Sequence, residues 1–282
     1  LGFIGSALIF RLLKNTHSKI FNIDKLIQES NLLSVNNQFF NYGKSRYKFF
    51  NYDLKDDEYL KKIFKESDPD IVFHLAAESH VDKSIDSPRN FLESNIVGTF
   101  NILETSLDFF NNLPIYRKSN FKFLHISTDE VFGSLGESGL FNEDSNYNPM
   151  SPYSATKAAS DHLVDSWFHT FGLPSLVSNC SNNYGPRQFP DKFIPKIIIN
   201  AINSKPIPIY GNGLNIRDWL FVEDHINALL LMAIKGKPGS HYCIGGSEEK
   251  SNINVCNKIC NLLDDLKPKE SCYSSLIEFV ED

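Results

Sequence analysis

Short apolar runs alternate along this chain with stretches of helical period. Lys19-Ile20-Phe21-Asn22-Ile23-Asp24 reads as a strand that ends in an acid, and Tyr47 to Asp53 as a second strand. Asp57 to Phe64 is amphipathic at helical spacing. Asp70-Ile71-Val72-Phe73-His74-Leu75-Ala76-Ala77 reads as a buried strand, and Phe91 to Phe110 as one long helix. A strand from Phe121 to Ser127, a helix from Ser151 to Phe171 and a strand from Ser175 to Cys180 continue the series. This alternation predicts an α/β fold, a doubly wound parallel sheet with helices on both faces. Loops at the carboxyl ends of its strands are then expected to line the ligand crevice. After Asn182 the texture changes to dense turn signals: Tyr184-Gly185-Pro186, Pro206-Ile207-Pro208 and Gly211-Asn212-Gly213. A smaller C-terminal lobe is therefore expected over 182–215 and 245–282. Residues 1–181, with a returning segment near 216–244, would form the larger domain. The Asn- and Ser-rich stretch from Gln28 to Lys44 reads as disordered.

Composition narrows the class. The 282 residues carry a net charge of −6 and are 41% hydrophobic, enough for one large core or two fused ones. The acidic balance argues against nucleic-acid binding. The run Ala228-Leu229-Leu230-Leu231-Met232-Ala233-Ile234 is too short to span a bilayer, so no membrane partner is expected. The 5 cysteines are odd in number and scattered, which points to reduced thiols in a cytoplasmic protein. Cys256 and Cys260 are helix-spaced but lack an accompanying His/Cys cluster, so they read as structural thiols and no metal site is expected.

The chain opens Leu1-Gly2-Phe3-Ile4-Gly5-Ser6 and runs into helix-like sequence. This looks like the last two glycines of a three-glycine dinucleotide loop, so a glycine and a strand are expected upstream. Two glycines alone equally describe a turn entering a helix. Asp24 adds weight. It ends the next strand, near the ~20-residue spacing at which an acid binds the adenosine ribose hydroxyls. An acid there favours NAD, because it would repel a 2′-phosphate.

Candidate chemistry lies further along. Thr128-Asp129-Glu130 follows the Phe121 to Ser127 strand. Tyr153 and Lys157, in Tyr153-Ser154-Ala155-Thr156-Lys157, share one helix face at i and i+4. A free tyrosine, with a pKa of about 10, is a poor base at neutral pH. A nearby ammonium and a positive nicotinamide ring favour its phenolate. Tyr153 can then take the proton of a sugar hydroxyl as hydride leaves the same carbon, with Thr128 bonded to that hydroxyl. Asp129 and Glu130 equally suit a solvated loop. Yet oxidation of a sugar carbon acidifies its neighbour, and two carboxylates can divide the removal of that proton and the protonation of a hydroxyl one carbon further on.

At these residues the chain resembles the extended short-chain dehydrogenase/reductases, and within them the NAD-dependent nucleotide-sugar epimerase/dehydratase family in its dTDP-glucose 4,6-dehydratase branch. The resemblance runs along essentially the whole chain. Its most specific strings are Leu75-Ala76-Ala77-Glu78-Ser79-His80-Val81-Asp82, Ser127-Thr128-Asp129-Glu130-Val131-Phe132-Gly133 and Asn179-Cys180-Ser181-Asn182-Asn183-Tyr184-Gly185-Pro186, continued by Pro208-Ile209-Tyr210-Gly211 and Ile216-Arg217-Asp218-Trp219. It implies a Rossmann-type domain with a smaller substrate-binding lobe. It implies Tyr153 as the oxidation base, Lys157 as its partner, Asp129 as the acid at the leaving hydroxyl and Glu130 as the base at the adjacent carbon. The NAD site would comprise Gly2, Phe3, Ile4, Gly5, Asp24, Lys25, Asp53, Leu54, Leu75, Ala76, Ala77, Ser79, Ser94, Ser127, Tyr153, Lys157 and Asn183. Ser79, Thr128, Asp129, Glu130, Asn182, Lys192, Phe193, Pro208, Ile209, Tyr210, Arg217 and Asn252 would hold the nucleotide sugar. The Arg217 guanidinium fork suits a diphosphate, although a surface ion pair with Asp218 would equally explain it.

A homodimer through the Phe91 to Phe110 and Ser151 to Phe171 helices is implied as well. Phe132 stands where such proteins commonly carry tyrosine, and the family pattern continues past Asp282, so residues are expected beyond both ends. A UDP-glucose dehydratase would share most of these motifs. Epimerases and decarboxylases share the glycines and Tyr-x-x-x-Lys but usually lack adjacent Asp and Glu after the threonine. A non-catalytic NAD-binding regulator would be expected to have lost the tyrosine or the lysine.

Overall fold

The computed structural model describes residues 1–26, 45–135 and 139–281. The Gln28 to Lys44 stretch, expected to be disordered, lies outside them. Contacts divide the chain into two compact units. The first is Leu1–Cys180 with Asp224–Ile244, and the second is Ser181–Glu223 with Gly245–Asp282.

In the first unit, strands β3 (Ile71–His74), β4 (Lys122–Thr128), β5 (Ser175–Cys180) and β9 (His241–Ile244) form a parallel sheet in the order β3-β4-β5-β9. Strands β1 (Ile20–Asp24) and β2 (Tyr47–Asn51) form a separate parallel ladder, with Asp24 opposite Asn51. Every residue of β5, and all of β4 after Lys122, is buried. Covered on both faces, such strands read as near-continuous apolar runs, and this is how β4 begins. Its polar residues His125, Ser127 and Thr128 fall towards the carboxyl end, where the site is built. Leu60, Phe64, Leu103, Phe121, Phe123, Val164 and Trp167 form the main core.

One expected element is different. The long helix from Phe91 to Phe110 is a helical turn at Pro88–Phe91, a π-helical segment at Leu92–Val97 and an α-helix at Gly98–Asn112. The Asn95 carbonyl accepts from the hydroxyls of Thr99 and Ser160, both at 2.6 Å, and the Gly98 N–H reaches back to the Glu93 carbonyl. Side-chain hydroxyls thus occupy a carbonyl of the α-helical ladder, and the local pitch widens.

In the second unit, β8 (Ile216–Phe221) is central. It runs parallel to β6 (Asn182–Tyr184) and antiparallel to β10 (Glu249–Ser251). Strand β7 (Ile207–Tyr210) pairs with β11 (Ile277–Val280). The sequence pattern groups the segment from Ile216 with the first domain. It belongs to the second unit because both ladder partners of β8 lie there, and the return to the first unit comes at Asp224. Cys256 and Cys260 are fully buried in the second unit's core with Ile197, Ile207, Ile209 and Tyr273. Among the described residues, no helix is long and apolar enough to cross a membrane, and no group of three or more His, Cys, Asp and Glu is placed to hold a metal ion.

Candidate active site

Strand β4 ends at Thr128, and the chain turns at once into a 3-10 turn over Asp129–Phe132. The Thr128 hydroxyl caps that turn, accepting from the Glu130 N–H at 3.3 Å, and lies 3.4 Å from Asp129 Oδ1. Asp129 and Glu130 are half-buried rather than fully solvated. A strand end rigidly paired to β5 therefore presents a hydroxyl and two carboxylates within three residues.

The Pro152–Phe171 helix supplies the phenol and the amine. Its start is over-determined. Ser151 and Ser154 form a reciprocal capping box, with side chain–backbone bonds of 3.0 and 3.1 Å, and Pro152 occupies the first helical position. Gly172 ends the helix at φ +73°, the left-handed region that favours glycine. Tyr153, on the first turn, packs edge-on against Phe91 and lies beside Thr128. Burial and the nearby Glu130 charge push its phenol above the ordinary value, while the Thr128 hydroxyl opposes them. Lys157 is 3% exposed. Its Nζ donates to the Ile126 carbonyl at 2.9 Å and lies 3.3 Å from His125 Nε2. Burial holds the Lys157 pKa below its usual value, against the pull of Asp161.

Two sets of residues around this site went unread in the sequence. Asn95, on the π-helical segment, bonds both backbone groups of Glu78 and donates to Thr156 Oγ1 at 3.0 Å. It ties the loop after β3 to the helix that carries Tyr153 and Lys157. Beneath Lys157, His125 Nε2 lies 3.2 Å from Asp161 Oδ1, and Asp161 Oδ2 accepts from Tyr147 at 2.8 Å and Asn179 at 3.0 Å. Burial and the Lys157 charge hold the His125 imidazole down at about 4, outweighing Asp161. Burial alone holds His225 at about 4 as well. Both are neutral in the fold and would bind protons near 6.5 once unfolded. The unfolded chain therefore binds more protons as pH falls from about 6.5 to about 4, and stability is lost across that window. Thermal melts should show a lower Tm at the acid end, and a flat or rising Tm would contradict this.

Of the residues expected at the cofactor, Asp24, Lys25, Asp53, Leu54, the Leu75 to Ser79 loop and Ser127 lie at the carboxyl ends of β1, β2, β3 and β4. Gly2 precedes the Phe3–Asn15 helix, whose first backbone bond runs from Ser6 to Gly2 and leaves the amides of Phe3, Ile4 and Gly5 as first-turn donors. A Cβ added at Gly2 or Gly5 would meet nothing within 4 Å, so packing within the chain does not require these glycines. A bare, open helix N-terminus is what close approach of a pyrophosphate needs. Asp24 ends β1, and its Oδ1 accepts from the Leu26 N–H at 2.7 Å. Lys25 pairs with Glu78 at 2.9 Å. Asp53 bonds the Lys55 N–H at 3.2 Å, and the Leu54 carbonyl accepts from Asn101 at 2.9 Å. In the loop after β3, Ala76 and Ser79 are exposed while Leu75 and Ala77 are half-buried. Ser94 is half-buried on the π-helical segment, and Ser127 is buried at the end of β4. The donor set fits a dinucleotide with an unphosphorylated ribose.

The remaining expected residues belong to the second unit. Asn182 and Asn183 lie on β6, and the Asn183 side chain donates to the Ser181 carbonyl at 2.9 Å. Lys192 caps the Phe193–Ile202 helix, and Phe193 stacks on Trp219 at 5.9 Å. Pro208, Ile209 and Tyr210 run along β7. Ile209 is 1% exposed within the core and Tyr210 is 55% exposed. Arg217 is exposed on β8 and donates to its neighbour's carbonyl. Asp218 does not take up Arg217. Its oxygens accept from the N–H groups of Gly246 and Glu248 at 2.6 and 2.8 Å. Asn252 opens the Asn252–Leu266 helix, and its N–H bonds the Asn215 carbonyl at 3.1 Å.

The chain is similar to known proteins along its length. A family model described as GDP-mannose 4,6 dehydratase matches residues 1–278. The dTDP-glucose 4,6-dehydratase of Salmonella typhimurium is 49% identical over all of this chain and 80% of its own length. That of Neisseria meningitidis is also 49% identical, again over all of this chain and 80% of the relative. The crystal structure of dTDP-glucose 4,6-dehydratase from Bacillus anthracis in complex with NAD superposes with a TM-score of 0.86 at 37% identity, covering 100% of this chain and 82% of that one. Near-half identity along the full chain, to proteins of one name that share its fold, means that this chain belongs to the dTDP-glucose 4,6-dehydratase family.

Proposed function

We propose that this protein is an NAD-dependent hydro-lyase that converts dTDP-glucose to dTDP-4-keto-6-deoxyglucose, a step of deoxysugar and rhamnose synthesis. The observation that carries the reading is the pair Asp129-Glu130. It follows Thr128 at the end of β4, and Tyr153 lies beside Thr128 and within the charge of both acids. NAD, when bound, supplies the hydride acceptor at the start of the cycle and the hydride donor at its end. Gly2, Phe3, Ile4 and Gly5 would cradle its pyrophosphate and Asp24 its ribose. Lys25, Asp53, Leu54, Leu75, Ala76, Ala77, Ser79, Ser94, Ser127 and Asn183 would complete its site.

Each proton then has a holder in this chain. Thr128 orients the C4 hydroxyl, and Tyr153 takes its proton as the carbonyl forms. Lys157 supplies the positive charge that makes a phenolate accessible. The carbonyl at C4 acidifies C5, and Glu130 takes the C5 proton. Asp129 protonates the C6 hydroxyl, which leaves as water. When C6 is reduced, Glu130 returns a proton to C5, and no net oxidation results. In the second unit, Asn182, Lys192, Phe193, Pro208, Ile209, Tyr210, Arg217 and Asn252 would hold the nucleotide sugar. Ile209 would do so through its backbone, since its side chain lies in the core, and Arg217 through the diphosphate.

A homodimer fits the same reading. Leu92, Val97 and Phe100 on the segment from Leu92 to Asn112, and Phe171 at the end of the site helix, are large apolar side chains 43% to 51% exposed. Sedimentation should give twice the chain mass. A cytoplasmic location accords with five free cysteines.

Mass spectrometry of the sugar nucleotide after incubation with NAD and dTDP-glucose tests the function. Loss of one water is expected, and an unchanged mass with an inverted sugar would indicate an epimerase instead. Asp24 carries its own prediction. The protein should bind NAD at least about tenfold more tightly than NADP, a difference of about 1.4 kcal/mol. Equal affinity in a titration would remove Asp24 from the ribose site.

A further inference from the structure

Lys157 is a buried cation whose surroundings exceed what its expected role alone requires. The titratable groups facing it are Asp161 on its own helix, His125 on β4, His74 on β3 and Cys180 on β5. His74 donates to or accepts from Thr99 Oγ1 at 2.9 Å, and its ring centroid lies 5.1 Å from that of His125. Both imidazoles are held neutral by burial and by the Lys157 charge. Asp161 is ionised, because its bonds to His125 and its neighbours outweigh its burial. The buried set therefore holds one positive and one negative charge, the balance that burial demands.

The ring of His125 joins the two. His125 Nε2 lies 3.2 Å from Asp161 Oδ1 and 3.3 Å from Lys157 Nζ, so the ring sits between the two charges. Lys157 Nζ also donates to the Ile126 carbonyl at 2.9 Å, so it is held from two sides.

We propose that His125 and Asp161 are positioning residues for the reaction: they keep Lys157 an ammonium and fix its Nζ on the helix face it shares with Tyr153. This rests on the reading of Lys157 as the partner of Tyr153. The Asp161 charge favours the ammonium, so its removal makes Lys157 lose its proton at lower pH. In Asp161→Asn, the alkaline limb of the C4-oxidation rate should move down by about one pH unit, with KM for dTDP-glucose unchanged. Tyr147→Phe, which removes a hydrogen bond from Asp161 but leaves its charge, should not move that limb. A second readout needs no turnover. Competitive acetylation of Lys157, followed by peptide mass spectrometry across pH, should show its midpoint shifted in the same direction. Should Asp161→Asn fail to fold, His125→Gln should give a smaller shift of the same sign. An unmoved limb and acetylation midpoint, or an equal loss of rate at every pH, would overturn the proposal. If Lys157→Ala still oxidises C4 normally, the parent reading fails instead.

Discussion

Replacing Tyr153 with phenylalanine is expected to slow oxidation at C4 by about 10²- to 10⁴-fold, the usual contribution of a positioned acid–base group. Tyr153 is held for this task from three sides: by its capped helix start, by the edge of Phe91 and by Thr128. Its phenol is pushed up by burial and by Glu130, so the positive charges around it must do the opposite work during turnover. Because Tyr153→Phe deletes only a hydroxyl, KM should change little while the rate constant falls. Stopped-flow absorbance of reduced nicotinamide after mixing with dTDP-glucose reads the step directly. Undiminished reduction would remove Tyr153 from the role of base.

The second large effect is expected at Glu130. In Glu130→Gln, oxidation at C4 should persist because Thr128, Tyr153 and Lys157 are untouched. Removal of the C5 proton should slow by about 10²- to 10⁴-fold. The cycle then stalls after its first step, and the oxidised sugar accumulates on the enzyme. Deuterium incorporation at C5 from heavy water measures that step alone. Normal incorporation would assign the base to another residue. The contrast between the two variants separates the oxidation group from the elimination group, although both groups lie near one strand end.

Much of this arrangement was legible in the sequence, for physical reasons. A parallel strand buried on both faces must be apolar, so β4 and β5 announced themselves within a residue of their ends. The site helix carried its own start signal in Ser151-Pro152 and its stop in Gly172. What stayed hidden depends on contacts between distant residues. The apolar period from Phe91 to Phe110 gave no sign that Thr99 and Ser160 would occupy the Asn95 carbonyl, because Ser160 lies 65 residues away. His125 meets Asp161 only once β4 and the site helix have packed. A partial signal was present: Tyr153, Lys157 and Asp161 recur at four-residue spacing on one helix stripe. A lysine and an aspartate on a helix face that abuts an apolar sheet have to find partners there. The segment from Ile216 was misplaced for a related reason, since nothing local in a strand says which sheet it joins.

The account stands or falls on an internal transfer of hydride from C4 to C6. The most direct measurement uses dTDP-glucose carrying deuterium on C4, with NMR of the product sugar. The account predicts product that has lost one water and carries that deuterium on C6. Product with the deuterium back on C4, or water loss with no label at C6, would contradict it.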